Sequence, residues 1–321
     1  MKSTVRSLIG GTISPLGKYF TKNKLTIFCY HDVSNNPSEF SYNHDLNVPP
    51  SIFEYQINFI NNNFNVISPD ELLANNIPPK AALITFDDGF RSYFKTAVPI
   101  LEKYNSPSII FLNMGPIKGE IFWSGLITYL CEKLKDFQDY IADAFEVNLK
   151  KKPLYLYCSR EIVNSYLKIK NKSYKREVEK YVGDFATQQD LKSVSSNKLV
   201  FFGNHLYNHD VPLLLSDKQL LELSRKNEFE LKKYPNSRNM FAFPFGQPDT
   251  CYSQRQIELL LDNGAKKVFS AYPLINSNVT DQFLHRIPLY SFNNTNARIW
   301  YSIVRKSFKI SNISSRSRNS Y

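Results

Sequence analysis

The chain has 321 residues, and its 42% hydrophobic content with 44 Phe and Tyr residues is enough for a packed core, which excludes a disordered chain. Net charge is +11, but residues 1–31 carry +5 and residues 282–321 carry +7, leaving the 250 residues between them at −1. A neutral body excludes the broad positive groove of a nucleic-acid enzyme, so no nucleic-acid partner is expected.

No run reaches the roughly 18 apolar residues of a membrane span. The uncharged stretch from Ser7 to Gly17 is weakly apolar and broken by Gly10, Gly11 and Pro15, a poor signal-peptide core. Cys29, Cys131, Cys158 and Cys251 are widely spread, form no CxxC pair and read as thiols in a reducing compartment. The expected location is cytoplasmic or peripheral to a membrane, with a secreted or cell-surface placement as the alternative.

In chain order, short apolar runs alternate with amphipathic segments, the mark of βα units and a mostly parallel sheet. Leu25–Tyr30 is a strand. Ser51 and Glu54 form a capping-box pattern opening a helix whose inner face is Phe53, Ile57, Ile60 and Phe64. Ala81–Phe86 is a strand ending in Asp87-Asp88-Gly89, followed by a helix through Leu101 and a strand at Ser108–Leu112. Residues 114–197 are far longer than an ordinary connection and carry Lys-rich helical segments such as 168–181, so they read as an inserted subdomain. A strand at 198–202 ends at Gly203-Asn204-His205. Ser216 with Gln219 caps a helix to about Tyr234, and a strand at 240–243 ends in Pro244-Phe245-Gly246. Ser253 with Gln256 caps the next helix, and strands at 267–271 and 284–289 complete the set.

Three motifs fall where strands end, the edge at which ligands and catalytic groups collect in such sheets. In Thr85-Phe86-Asp87-Asp88-Gly89, adjacent carboxylates at a turn can serve different partners, one a cation and one a proton; the same residues are also common turn chemistry. In His205-Leu206-Tyr207-Asn208-His209, histidines four apart share one face of a helical turn and can reach a single ion, unless the pair is coincidental. In Phe241-Ala242-Phe243-Pro244-Phe245-Gly246, the turn can present a backbone N–H to an oxyanion, or can be only a buried strand and its turn.

Together and in this order, the motifs resemble the polysaccharide deacetylases of carbohydrate esterase family 4, nearest the poly-N-acetylglucosamine deacetylase-like branch. The resemblance covers 25–114 and 198–289. It implies an α/β fold, a distorted (β/α) barrel with a helical insertion. The implied organisation is a basic N-terminal segment (1–24), a barrel (25–113 and 198–296), an inserted subdomain (114–197), and a basic amphipathic helix and tail (297–321). It also implies that Asp88, His205 and His209 bind a divalent metal, usually zinc, and that Asp87 is the general base. Pro244, Phe245, Gly246 and Tyr207 would line the acetyl and oxyanion pocket. The implied activity is removal of N-acetyl groups from amino-sugar units of a cell-surface polysaccharide or its precursor, releasing acetate, with an N-acetylated glycan as substrate.

Two departures stand out. The family's third motif often carries an arginine that pairs with the base, and Ala242 occupies that position; Arg286 is the expected substitute. A late Leu-x-His motif for the general acid is not clear, leaving His31, after the first strand, or His285. Strand alternation would send His285 and Arg286 to opposite faces. His44 reads as an exposed loop residue, and Trp123 as either a sugar-stacking platform or a core aromatic. At the C-terminus, Ile299, Trp300, Ile303, Val304 and Phe308 oppose Arg298, Arg305, Lys306 and Lys309, a helix that could touch an anionic membrane or pack on its own domain. Two other functions stay open: a non-catalytic carbohydrate-binding relative, and an amidohydrolase acting on a non-sugar amide.

Overall fold

Strands buried on both faces must be apolar along their whole length, and LTIFCY at Leu25–Tyr30 (β1) and AALITF at Ala81–Phe86 (β3) are buried throughout. In the computed structural model, which describes residues 17–145 and 153–305, they pair side by side within one sheet. Its other strands are Asn65–Val66 (β2), Ser108–Leu112 (β4), Val200–Asn204 (β5), Ser237–Ala242 (β6), Lys267–Phe269 (β7), Phe283–Leu284 (β8) and Ile287–Pro288 (β9). The order is β8-β7-β6-β5-β4-β3-β1-β9, with β2 beside the start of β3 and every pairing parallel.

The two ends of that order, β8 and β9, are separated in the chain only by His285 and Arg286. One short run therefore pairs with β7 through its first half and with β1 through its second. The sheet curls until this segment bridges its edges, which makes the fold a distorted (β/α) barrel. The single strand expected over 284–289 is instead two short strands with a step between them.

Ser216 with Gln219 and Ser253 with Gln256 form capping boxes on the helices Asp217–Leu231 and Gln254–Asp262. The expected box at Ser51 and Glu54 does not form. Helix Pro50–Asn63 begins two residues earlier, with Pro49 and not Ser51 at the N-cap, because Pro50 supplies the helical φ and lacks the N–H that a cap would satisfy. Its face of Phe53, Ile57 and Ile60 is buried as patterned.

Between β4 and β5 the chain is helical. Helices Trp123–Lys133, Lys135–Phe145, Arg160–Lys170 and Lys175–Val182 enclose a separate cluster that includes Leu126, Ile127, Phe137, Val163 and Tyr166. Residues near both ends of this stretch, Met114, Ile117 and Leu191, pack in the barrel's main core. The helical run expected over 168–181 is broken by Asn171, which takes the left-handed region at φ 46°. All four cysteines are thiols, but Cys131 and Cys158 place their Sγ atoms 3.7 Å apart, a proximity their sequence spacing does not reveal.

Among the described residues no helix is long and apolar enough to cross a membrane. Helix Asn296–Val304 turns Ile299, Trp300, Ile303 and Val304 into the core, with Trp300 5.3 Å from the Phe59 ring and 5.7 Å from Phe64. The apolar face that could have met a membrane is used inside the fold; Lys306, Phe308, Lys309 and the tail lie outside the described residues, as do residues 1–16. Trp300→Ala is expected to cost about 3–5 kcal/mol in denaturant unfolding, whereas a loss under about 1 kcal/mol would mark the helix as peripheral.

Candidate active site

β3 ends in a tight turn in which the Gly89 N–H donates to Asp87 O at 2.9 Å, with Asp88 at φ 72° and Gly89 at φ 101°. A left-handed φ costs a non-glycine residue on the order of 1–3 kcal/mol; Gly89 takes its own positive φ without that strain. The turn sends the two adjacent carboxylates to different partners.

Asp87 meets Arg286. Nη1 donates to Oδ1 at 2.6 Å and Nη2 to Oδ2 at 2.7 Å, while Nε donates to Ser270 O at 2.9 Å. The side chains are 0% and 4% exposed. Burial by itself would raise the Asp87 carboxyl, but the guanidinium, followed by the His205 ring, outweighs burial and holds it below the usual carboxylate range. Oδ2 also receives the Cys29 thiol at 3.7 Å and lies 3.9 Å from Nε2 of both His31 and His205.

Asp88 faces the two motif histidines, its Oδ1 3.5 Å from His205 Nε2 and 3.2 Å from His209 Nε2. His205 Nδ1 lies 2.8 Å from Ala242 O. A carbonyl can only accept, so Nδ1 carries a hydrogen, which leaves Nε2 as the ring nitrogen that would offer a lone pair to a cation beside Asp88. Burial lowers the His209 imidazole despite the pull of Asp88. Oδ1 of Asp88 is buried without a hydrogen bond among the described residues. Lone pairs converging on an unsatisfied buried carboxylate oxygen fit a cation, and one ligand atom from each of Asp88, His205 and His209 lies within 4.8 Å of the others. Cys29, His31 and Asp87 form a second such cluster, but Arg286 already supplies positive charge there.

The expected helical turn at 205–209 is absent. The segment is an irregular loop with Leu206 at φ 65° and His209 at φ 62°, and this path rather than helical spacing brings the imidazoles together. Three buried asparagines hold it. Asn113 donates to the carbonyls of His205 and Leu206, and Asn204 accepts from the Leu206 N–H at 2.9 Å. Asn227 donates to Asn204 Oδ1 at 2.7 Å and to Leu112 O at 2.8 Å. On the far side, Arg160 clamps Asp210 with bonds of 2.5 and 2.9 Å. Sequence reasoning missed this set; asparagines directly after β4 and at the end of β5 were the only signal.

A cavity of about 530 Å³ opens over these groups, lined by His31, Asp87, Asp88, His205, His209 and Phe245 among others. Phe245 takes φ 59° and Gly246 φ 61°; the Gly246 N–H donates to Pro244 O, and Ala271 crowds the place a Cβ on Gly246 would need. The Phe245 ring lies 4.9 Å from that of His209, and among the described residues its N–H donates to no other group.

Tyr207 does not line the cavity. Its hydroxyl donates to Glu120 at 2.8 Å and Lys226 covers its ring at 3.5 Å, because the loop that turns both histidines to Asp88 turns the residue between them away. Trp123 is buried beneath Arg160 at 4.5 Å; its neighbour Phe122 faces the cavity and packs 5.2 Å from the His209 ring. His285 bonds Ser270 Oγ at 2.8 Å on the face opposite Arg286 and is absent from the cavity wall. His31 is on that wall. His44 is exposed but also stands there, 3.2 Å from Glu132 of the inserted helices.

Carboxylates and imidazoles gathered at the carboxyl ends of barrel strands occupy the face where (β/α) barrels carry their active sites. The polysaccharide deacetylase family model matches residues 74–268, and the chain belongs to that family of hydrolases acting on carbon–nitrogen bonds. The match takes in Asp87, Asp88, His205 and His209 but neither His31 nor Arg286. The fold is similar to Streptococcus pyogenes deacetylase PplD in complex with acetate, at 18% identity over 88% of this chain and 99% of that one, with a TM-score of 0.58. IcaB from Ammonifex degensii is also 18% identical, over 87% of this chain and 97% of that one, with a TM-score of 0.58. YxkH of Bacillus subtilis, provisionally named a polysaccharide deacetylase, is 34% identical over 95 residues, 28% of this chain and 32% of that protein. The match thus spans about a third of the length of this curated relative.

Removing one partner of a buried ion pair strands the other charge. Arg286→Ala is therefore expected to lower unfolding free energy at neutral pH by about 3–5 kcal/mol. Because the Asp87 carboxyl is lowered in the fold, its share of stability is present above the unfolded carboxylate pKa and lost as pH falls through the folded one. The mutant's deficit in chemical denaturation should therefore shrink in acid; a constant deficit would disprove this electrostatic origin.

Proposed function

We propose that the protein hydrolyses N-acetyl groups from amino-sugar units, such as N-acetylglucosamine in a cell-surface polysaccharide or its precursor, and releases acetate. The observation that carries this reading is the divergence of Asp87 and Asp88, one held by a guanidinium and the other facing two imidazoles. Asp88, His205 and His209 would hold a divalent cation, with zinc favoured by the imidazole and carboxylate donors. When bound, it would acidify water and polarise the acetyl carbonyl.

The chain's own groups account for the proton movements. Asp87, deprotonated at neutral pH, takes a proton from the attacking water, and Arg286 fixes the direction of its lone pairs. The Phe245 N–H donates to the developing oxyanion. As the C–N bond breaks, the departing nitrogen needs a proton, and His31 supplies it from the cavity wall beside Asp87.

The test is acetate release from N-acetylated oligosaccharides by zinc-loaded protein. Asp87→Asn and His31→Ala are each expected to slow it by about 10²–10⁴-fold, while Asp87→Asn retains zinc in a competition assay with a chromophoric chelator. Asp88→Asn should lose both zinc and activity. Absence of release from every N-acetylated sugar would favour the carbohydrate-binding alternative, and release from simple amides alone the non-sugar amidohydrolase.

In Arg286→Ala the guanidinium no longer lowers the Asp87 carboxyl, so the acid limb of the activity profile should move to higher pH. An unmoved limb, measured on folded mutant, would remove Arg286 from the mechanism.

A further inference from the structure

The inserted helices do more than extend the fold. They emerge between β4 and β5 yet make contacts at both sides of the cavity. Toward the loop after β1, Glu132 pairs with His44 at 3.2 Å, Lys133 pairs with Glu39, and Phe40 packs edge-on against Phe122 at 6.0 Å and Tyr181 at 5.7 Å. Toward the loop after β6, Tyr155 stacks on Phe245 with ring centroids 4.8 Å apart and planes within 10°. β1 and β6 flank β3, β4 and β5 in the sheet, so the insertion walls the cavity over the ends of five neighbouring strands. On the remaining side, among the described residues, no inserted helix contributes, and the wall is formed by Ala271 after β7 and by Leu289 and Tyr290 after β9.

A polymer processed at interior units must lie across the catalytic groups and leave the site in two directions. Among the described residues, one of those directions is closed by the insertion. The cavity of about 530 Å³ also falls within the usual size of a small-ligand site rather than that of a long groove. Its wall includes Phe122, Tyr155 and Tyr290, flat faces suited to the apolar side of a sugar ring.

We propose that the site accepts a terminal N-acetylated sugar, entering end-on from the β7–β9 side, and excludes interior units of a chain. This inference rests on the deacetylase reading above and narrows its substrate class. Tyr155 and His44 are the specificity-determining contacts, because they tie the insertion to the two flanking loops.

The experiment uses zinc-loaded full-length protein with trimers of N-acetylglucosamine in β-1,4 and β-1,6 linkage, mapping the deacetylated position by tandem mass spectrometry. An end unit should lose acetyl at least about tenfold faster than the middle unit. In a His44→Ala/Tyr155→Ala variant, shown to be folded by its thermal melt, the middle unit should gain on the end unit. Comparable rates at both positions in the wild type overturn the end-on site while leaving the deacetylase reading intact. An unchanged ratio in the folded variant overturns the role of the insertion as barrier. No acetate from any unit of either trimer overturns this inference and the deacetylase reading together.

Discussion

The buried ion pair between Arg286 and Asp87 ties the chemistry of this protein to the closure of its barrel. A guanidinium and a carboxylate, neither more than 4% exposed, lie together where either alone would cost several kcal/mol. Two parallel hydrogen bonds and a third from Nε to Ser270 O meet that cost. Arg286 sits in the two-residue step between β8 and β9, the strands that bring the sheet edges together. Ser270 anchors both sides of that step, its carbonyl on Arg286 and its hydroxyl on His285. Closing the barrel and orienting Asp87 are therefore one event.

The second constraint is the backbone at the candidate cation site. Asp88, Leu206, His209 and Phe245 all take positive φ, and three of them face the cavity. Such angles persist where the surroundings over-determine them, and here those surroundings are polar and buried. Asn113, Asn204 and Asn227 satisfy the carbonyls and amides that an irregular loop would otherwise leave without partners. Ala242 contributes through its carbonyl, which fixes the tautomer of His205. Ala242, where an arginine was expected, thus orients the ring that faces Asp88, while the guanidinium on Asp87 comes from a different strand end.

The insertion reaches over this machinery from both sides. Its helices share a core of aromatic and aliphatic side chains, and Arg160 reaches back to Asp210, next to His209. The same helices that wall the cavity thereby brace the loop carrying one of the candidate cation ligands.

Much of the fold was legible in the order of residues. Continuous apolar runs marked β1, β3 and β4, and two Ser…Gln boxes marked helix starts, because burial on both faces and capping are local rules. Asp87, Asp88, His205 and His209 were legible because each stands at a strand end. The sequence also identified Arg286 as a partner for Asp87 and set His285 on the other face through strand alternation. It misplaced Tyr207, which its place inside the motif put in the pocket but an irregular loop turns away, and it read His44 correctly as exposed without showing that it stands on the cavity wall. It could not reveal the asparagine scaffold, the Cys131–Cys158 proximity, the split of the last strand, or the arch of the insertion from β1 to β6. Local periodicity decided the strands and the side chains at their ends; only tertiary packing decided which distant loops meet, because those contacts depend on how far the sheet curls before its edges join.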